Sequence, residues 1–242
     1  MKYMGSKARI SKDISLMINK SISENNIENY IEPFVGGANM IENIICPNRY
    51  GLDSNRYLIA MWNALQSDWN PPETISKEEY KIIRDNKDNY SDELVAFAGF
   101  VATYNAKWFG GYAGIVTTKI NTQRNYYDEA RRNILKQLPR VKNVKFHHKK
   151  FQEMDLSKTK NCFIYCDPPY KNATEYKDEF NHDEFWEWVR NISKNNIVYV
   201  SEYNAPEDFS CIWKKEITTT LDKNSRKKDV EKLFVSNKKE NL

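Results

Sequence analysis

Residues 162–170 read Cys-Phe-Ile-Tyr-Cys-Asp-Pro-Pro-Tyr, and this run restricts the fold more than any other part of the chain. The five residues before Asp167 predict a buried strand. The two prolines end it, because each fixes φ and has no N–H to give a neighbouring strand. Asp167 is then left at the carboxyl edge of a sheet, beside the aromatic ring of Tyr170. A carboxylate and a backbone carbonyl only accept hydrogen bonds, which suits them to gripping an NH₂ group. The Tyr170 ring offers a flat face for stacking a base. A rigid turn with a capping Asp uses the same residue types, so this run gains meaning only from what precedes it.

What precedes it is a second strand end, Glu32-Pro33-Phe34-Val35-Gly36-Gly37, following Asn29-Tyr30-Ile31. Glycines there let a ligand approach the backbone, and a helix predicted over 38–45 would add free N–H groups. The pattern is neither G-x-G-x-x-G nor a phosphate-binding GKS/T loop. A further short strand, 50–53, ends in Asp53, placed to accept hydrogen bonds from a ribose diol. Each feature alone is equally a plain turn or a cap. In this order they point to a nucleoside-containing cofactor.

Periodicity supplies the architecture. A helix is predicted over 11–23 from Ile10, Ile14, Met17, Ile18 and Ile22, and another is carried by Phe185, Val189 and Ile192. Strands are predicted at 144–147, 162–166, 197–200 and 233–236, and residues 77–150 read as helices joined by loops. Strands alternating with helices predict an α/β class. The Phe185/Trp186/Trp188 group reads as packing, and Ser201-Glu202-Tyr203-Asn204, after a strand, reads as a loop.

At 242 residues the chain is long enough for a large core without staples. Its four cysteines form no CxxC pair and its three histidines are scattered, so buried thiols are expected rather than a metal centre. No apolar run reaches bilayer length and no signal peptide is recognisable, predicting a soluble protein of a reducing, cytoplasmic setting with no membrane partner and no obligate protein partner. The net charge of +4 conceals an asymmetry: between Lys107 and Lys150 eleven basic residues face only Asp128 and Glu129. That segment carries +9 and the remainder −5, the footprint of a polyanion partner or of a solvated basic face. Tyr112, Tyr126, Tyr127 and Asn121-Thr-Gln-Arg-Asn125 are interspersed, and such residues contact bases and sugars.

Four motifs in order, Lys2-Tyr-Met-Gly-Ser-Lys7, Glu32-Pro-Phe-Val-Gly-Gly37, Asp53-Ser-Asn55 and Asp167-Pro-Pro-Tyr170, resemble the Dam-like (D12, alpha-class) DNA adenine-N6 methyltransferases. The resemblance implies a Rossmann-like sheet at 1–56 and 144–242, interrupted by a mostly helical target-recognition insert at 57–143. It implies S-adenosylmethionine as cofactor, held by Tyr3, Lys7, Glu32, Pro33, Phe34, Gly36, Gly37, Asp53, Phe151 and Asp167, without a metal. Within that set Phe34, Gly36 and Gly37 would form the methionine pocket and Phe151 would pack near the adenine. Lys150 stands where the family often carries Asp, Ala38 where many members have a further Gly, and Ser6 replaces a Gly. The insert resembles the family only loosely.

Double-stranded DNA is the implied partner, with Lys107, Lys119 and Arg124 as the contacts expected from charge. The basic tail from Lys223 to Lys239 is a further possible phosphate contact, diluted by its acidic residues. Asp167, Pro168, Pro169 and Tyr170 are the expected catalytic residues. Asp167 and the Pro168 carbonyl would take the two amine hydrogens of a flipped-out adenine stacked on Tyr170. Cytosine N4, RNA adenine and an inactive DNA-binding relic are the alternatives.

Overall fold

The computed structural model describes residues 1–3, 5–67, 69–118, 120–154, 159–170, 180–222 and 225–237, with the side chains of 218–228 excepted. A first helix, α1 (Ser11–Glu24), buries Ile14, Ile18 and Ile22 along one stripe, as i, i+4 spacing requires. Strand β1 (Asn29–Glu32) follows, then β2 (Asn48–Asp53) and α2 (Arg56–Gln66). Asn55 caps α2 by accepting from the Leu58 N–H at 3.1 Å. Next come α3 (Lys77–Asp85), opened by a Ser76/Glu79 capping box, and α4 (Asp92–Ala96), which runs into a π-helical turn at Phe97–Val101. A hairpin of β3 (Ile115–Thr117) and β4 (Gln123–Asn125) leads into α5 (Tyr126–Val141). The remaining elements are β5 (Val144–His148), β6 (Cys162–Cys166), α6 (His182–Ile192), β7 (Ile197–Glu202), β8 (Phe209–Asp222) and β9 (Ser225–Ser236).

Seven strands form one sheet in the order β5-β2-β1-β6-β7-β9-β8. It is parallel from β5 to β7, and β9 enters antiparallel between β7 and β8. This is a Rossmann-like α/β fold. The strand order reverses between β1 and β6, and ligands of such sheets bind outside the carboxyl ends at that reversal. Glu32 ends β1 and Asp167 follows β6, so both lie at the reversal.

Successive side chains of a strand face opposite layers. Tyr30, Phe163 and Tyr165 pack in the layer that contains Ile14, Ile18, Leu58 and Trp62, whereas Ile31, Cys162, Ile164 and Cys166 pack with Phe185, Val189 and Ile192 of α6. Each fully buried large side chain contributes about 2–3 kcal/mol by leaving water. The first layer also takes in Tyr80, Phe97, Phe100, Tyr127 and Ile134 from the segment between β2 and β5. Helix α2 is tied to the sheet directly, since Gln66 Nε2 donates to the carbonyls of Val141 and Val144 at 2.6 and 2.9 Å.

Three sequence expectations differ from the structure. The helix predicted over 38–45 is a single 3₁₀ turn, Ile41–Asn43. Ala38 sits at φ +54°, outside the right-handed helical region, so a regular helix cannot start there. Gln137 Nε2 donates to the carbonyls of Gly37 and Ala38, both at 3.0 Å, and the Ala38 carbonyl also accepts the Glu42 N–H at 3.3 Å. The middle, expected as helices joined by loops, also contains the β3–β4 hairpin, closed by Thr118 and Thr122 (N–H to O 2.8 Å) with Asn121 in the left-handed region. The last strand is longer than predicted and pairs with β8, whose Lys- and Thr-rich sequence lacks the apolar run of a central strand because it forms the sheet edge. Among the described residues no helix is long and apolar enough to cross a membrane. No cluster of metal-binding side chains occurs among them either, and all four cysteines are free thiols.

Candidate active site

The turn after β1 is built around the Asp53 carboxylate. Its Oδ2 accepts the Gly36 N–H at 3.0 Å and its Oδ1 accepts the Asn55 N–H at 2.9 Å. The freed N–H groups of this loop are thus used by a side chain, not by a helix start. Trp62 Nε1 donates to the Gly36 carbonyl at 3.1 Å, and Gln137 holds the next two carbonyls. Gly36 lies at φ +45°, and a Cβ there would come within 2.9 Å of the Tyr3 ring. The close approach of Tyr3 therefore requires glycine at 36. Tyr3 in turn leans on Phe100, ring centroids 5.5 Å apart, linking the turn to the middle segment.

Phe34 leaves the turn on the opposite layer and packs on Phe151 at 5.8 Å, with Phe180 and Phe185 closing the group. This aromatic wall stands at the carboxyl ends of β1 and β6. Pro33 is buried.

Asp167 is the centre of a second constellation. Lys7 Nζ lies 2.8 Å from Asp167 Oδ1 and 3.8 Å from Glu231 Oε2, with the lysine side chain only 7% exposed and Asp167 19% exposed. The same ammonium sits 4.2 Å above the Tyr170 ring, within cation–π range. The Tyr170 hydroxyl donates to Glu231 Oε2 at 2.7 Å, and Tyr203 meets Tyr170 edge-on with centroids 4.6 Å apart. Pro168 is buried, whereas Pro169 and Tyr170 are half-buried. Glu32 points into the same layer and accepts the Tyr30 hydroxyl at 3.1 Å.

Burial dominates the electrostatics here. It raises the Asp167 carboxyl above its ordinary range, with Lys7 opposing the shift and Glu231 adding to it. Burial also pushes Glu32 well up, against the Tyr30 hydrogen bond and with help from Asp167 and Asp53. Asp53 is raised by burial too, held in check by its backbone donors. The Tyr170 phenol is raised well above its usual value by burial and by the neighbouring Asp167 and Glu231. This sheet edge is therefore rich in carboxyl groups, and among the described residues Lys7 is the cation set against Asp167 and Glu231.

The structure thus brings Tyr3, Lys7, Glu32, Pro33, Phe34, Gly36, Gly37, Asp53, Phe151 and Asp167–Tyr170 to one sheet edge. The residues expected from charge belong to the middle segment. Lys107 is exposed and its stem covers Gly110. Arg124, on β4, makes a bidentate pair with Glu129 in the first turn of α5 (2.6 and 2.7 Å) and stacks on Tyr126. Lys119 lies outside the described residues, as do residues 223, 224, 238 and 239 of the basic tail and the side chains of 225–228. Ser201 and Glu202 belong to β7, and Ser201 Oγ is 2.7 Å from the Tyr165 hydroxyl.

Glu231, Gln137 and Trp62 were not singled out from the sequence. Glu231 had a signal: it shares strand parity with the fully buried Leu233, so a carboxylate at that position faces inward. Gln137 and Trp62 had none, since their partners are backbone carbonyls distant in sequence.

A type II methyltransferase, M.MjaIII of Methanocaldococcus jannaschii, is 28% identical over 220 residues, covering 76% of this chain and 75% of its own. Among solved structures, the rRNA methyltransferase AviRa from Streptomyces viridochromogenes aligns over 96% of this chain and 85% of its own, with 9% identity and a TM-score of 0.46. An rRNA methylase from Streptococcus thermophilus aligns over 92% and 96%, with 6% identity and a TM-score of 0.36. Residues 3–191 match the D12 class N6 adenine-specific DNA methyltransferases, and the chain belongs to that family.

Proposed function

We propose that the protein transfers a methyl group from S-adenosylmethionine to the N6 amine of an adenine flipped out of double-stranded DNA. The observation that carries the reading is Asp167, at the reversal of the sheet, held by Lys7 beside the Tyr170 ring and partly exposed. The donor set suits the cofactor. A carboxyl-rich crevice complements a sulfonium cation, and the Asp53 carboxylate has lone pairs left after its two backbone bonds to accept ribose hydroxyls. Phe34, Gly36 and Gly37 would border the methionine part, Tyr3 backs that turn, and the Phe34–Phe151 wall would receive the adenine. When bound, the cofactor supplies an electrophilic methyl on positively charged sulfur.

The chain's own residues do the rest by position. An adenine amine is a weak nucleophile because its lone pair is delocalised into the ring. Asp167 and the Pro168 carbonyl accept its two hydrogens and leave electron density on nitrogen, which is catalysis by fixed acceptors. This requires Asp167 as a carboxylate, and Lys7 opposes the burial that would protonate it. Tyr170 stacks on the flipped base. The 57–143 segment, with Lys107, Lys119 and Arg124, lies along the duplex.

Labelled-cofactor transfer to DNA, RNA and bulk protein, followed by mapping of the methylated base, tests the reading. Wild type is expected to label adenine in DNA, and Asp167→Ala to lose at least about 10³-fold in turnover while staying folded. Label on cytosine or on RNA, or near-normal turnover by Asp167→Ala, would refute it.

A further inference from the structure

The mechanism above leaves Glu231 unused, although it is one of the most buried carboxylates of the protein at 6% exposed. It comes from β9, beyond residue 191 where the family match ends. A carboxylate at this core-facing position is weak as a stabiliser, because its desolvation cost is offset only by good partners. Its partners are both at the site: Tyr170, whose hydroxyl it accepts at 2.7 Å, and Lys7, 3.8 Å away. The Tyr170 ring is consequently held at three points, its hydroxyl by Glu231, one face by the Lys7 ammonium and the third by a T-shaped contact with the Tyr203 ring.

We infer that Glu231 is a positioning residue for methyl transfer, fixing the Tyr170 ring through the phenol hydroxyl so that the face opposite Lys7 receives the flipped base. The inference rests on the proposed transfer to a flipped adenine. Without the anchor the ring can turn about its side-chain torsions, and the base loses the platform that aligns its amine with Asp167. Ground-state affinity for duplex DNA is set elsewhere, so the loss falls on turnover.

The test compares the full-length wild type with Glu231→Leu, Glu231→Gln, Tyr170→Phe and the Glu231→Leu/Tyr170→Phe double variant. The assay is methyl transfer from labelled S-adenosylmethionine to genomic DNA. Glu231→Leu and Tyr170→Phe are each expected to lower kcat about 10- to 100-fold, the scale of a misplaced reacting group. KM for DNA should stay within about twofold. The double variant should be no worse than the poorer single one, because both remove the same bond. Glu231→Gln keeps an acceptor oxygen and should recover most of the turnover.

Additive losses in the double variant, or a Gln variant as impaired as the Leu variant, would overturn the inference, since the effect would then not run through the phenol bond. If Glu231→Leu does not fold, Tyr170→Phe and Glu231→Gln decide it: wild-type kcat in Tyr170→Phe overturns it. A wild type that transfers no methyl to DNA overturns the functional reading together with this one. A wild type that methylates while Glu231→Leu keeps its rate overturns this one alone.

Discussion

Lys7 and Arg124 are both cations with a carboxylate partner under 3 Å away, yet they sit in opposite settings. Lys7 is 7% exposed and shared between Asp167 and Glu231; Arg124 is 44% exposed and paired with Glu129 on the surface. In the crevice, the desolvation that makes an unpaired charge costly also makes each partner indispensable. On the hairpin, water and salt screen the pair, so its contribution is small and its partner is replaceable. The buried cluster is built to hold one arrangement, and the exposed one is free to exchange Glu129 for another anion.

The largest effect that would break this contrast is expected at Lys7. Changing Lys7→Met leaves Asp167 and Glu231 without their shared cation, a loss on the order of 3–5 kcal/mol for a broken buried pair unless a carboxyl takes up a proton. Lys7 is the group that opposes the upward shift of Asp167, so its removal raises that carboxyl further. The amine acceptor must be ionised, and activity is lost as pH falls through its pKa. The acid limb of the kcat–pH profile should therefore move to higher pH, with turnover at neutral pH down about 100-fold. A profile that keeps its acid limb would show that Lys7 does not set the state of Asp167.

A smaller effect concerns stability. Glu32 is raised well above the ordinary carboxyl range, first by burial. Its folded pKa exceeds the unfolded one, so the folded state holds the proton to higher pH. Its contribution is then most favourable below the unfolded value and is lost as pH rises from there through the folded value. Each unit of difference is worth about 1.4 kcal/mol. Glu32→Gln should accordingly raise Tm, by more at pH 8 than at pH 5, while Asp53 and Asp167, shifted the same way, keep part of the slope. Thermal melts of the two proteins across pH check this, and a gain independent of pH would count against a proton held at Glu32.

The same contrast explains what could be read in advance. The sheet edge was legible because its constraints are local: Pro168 and Pro169 must end a strand, Gly36 must accommodate a close neighbour, and Cys162–Cys166 has the apolar run of a central strand. Asp167 and Asp53 then followed from where those strands end. Gln137 was hidden because it acts across a long separation, on the carbonyls of Gly37 and Ala38. The parity of Glu231 with Leu233 marks it as inward-facing but does not reveal its partner Tyr170, 61 positions away. The helix expected at 38–45 failed because Ala38 takes a left-handed φ of +54°, leaving only the 3₁₀ turn Ile41–Asn43. In the basic segment the charge was legible but the hairpin was not, since a three-residue strand pair is too short for periodicity to register.

The smallest effect is on the surface, where a matched pair of substitutions separates attraction from structure. Arg124→Ala should weaken DNA binding several-fold and lower the steepness of log K against log salt by about one, as expected when one phosphate contact is lost. Glu129→Gln removes the competing anion at 2.6 Å from the same guanidinium and should act oppositely, tightening binding. Arg124 is exposed and Glu129 half-buried at the surface, so neither change should shift stability by more than about 0.5–1 kcal/mol. Weaker binding in both variants would mean that the pair acts as a unit that shapes the β4–α5 junction. Opposite changes, with the salt slope following Arg124 alone, would show that Glu129 holds the arginine ready and yields it to phosphate, an exchange the desolvated Lys7 pair does not permit.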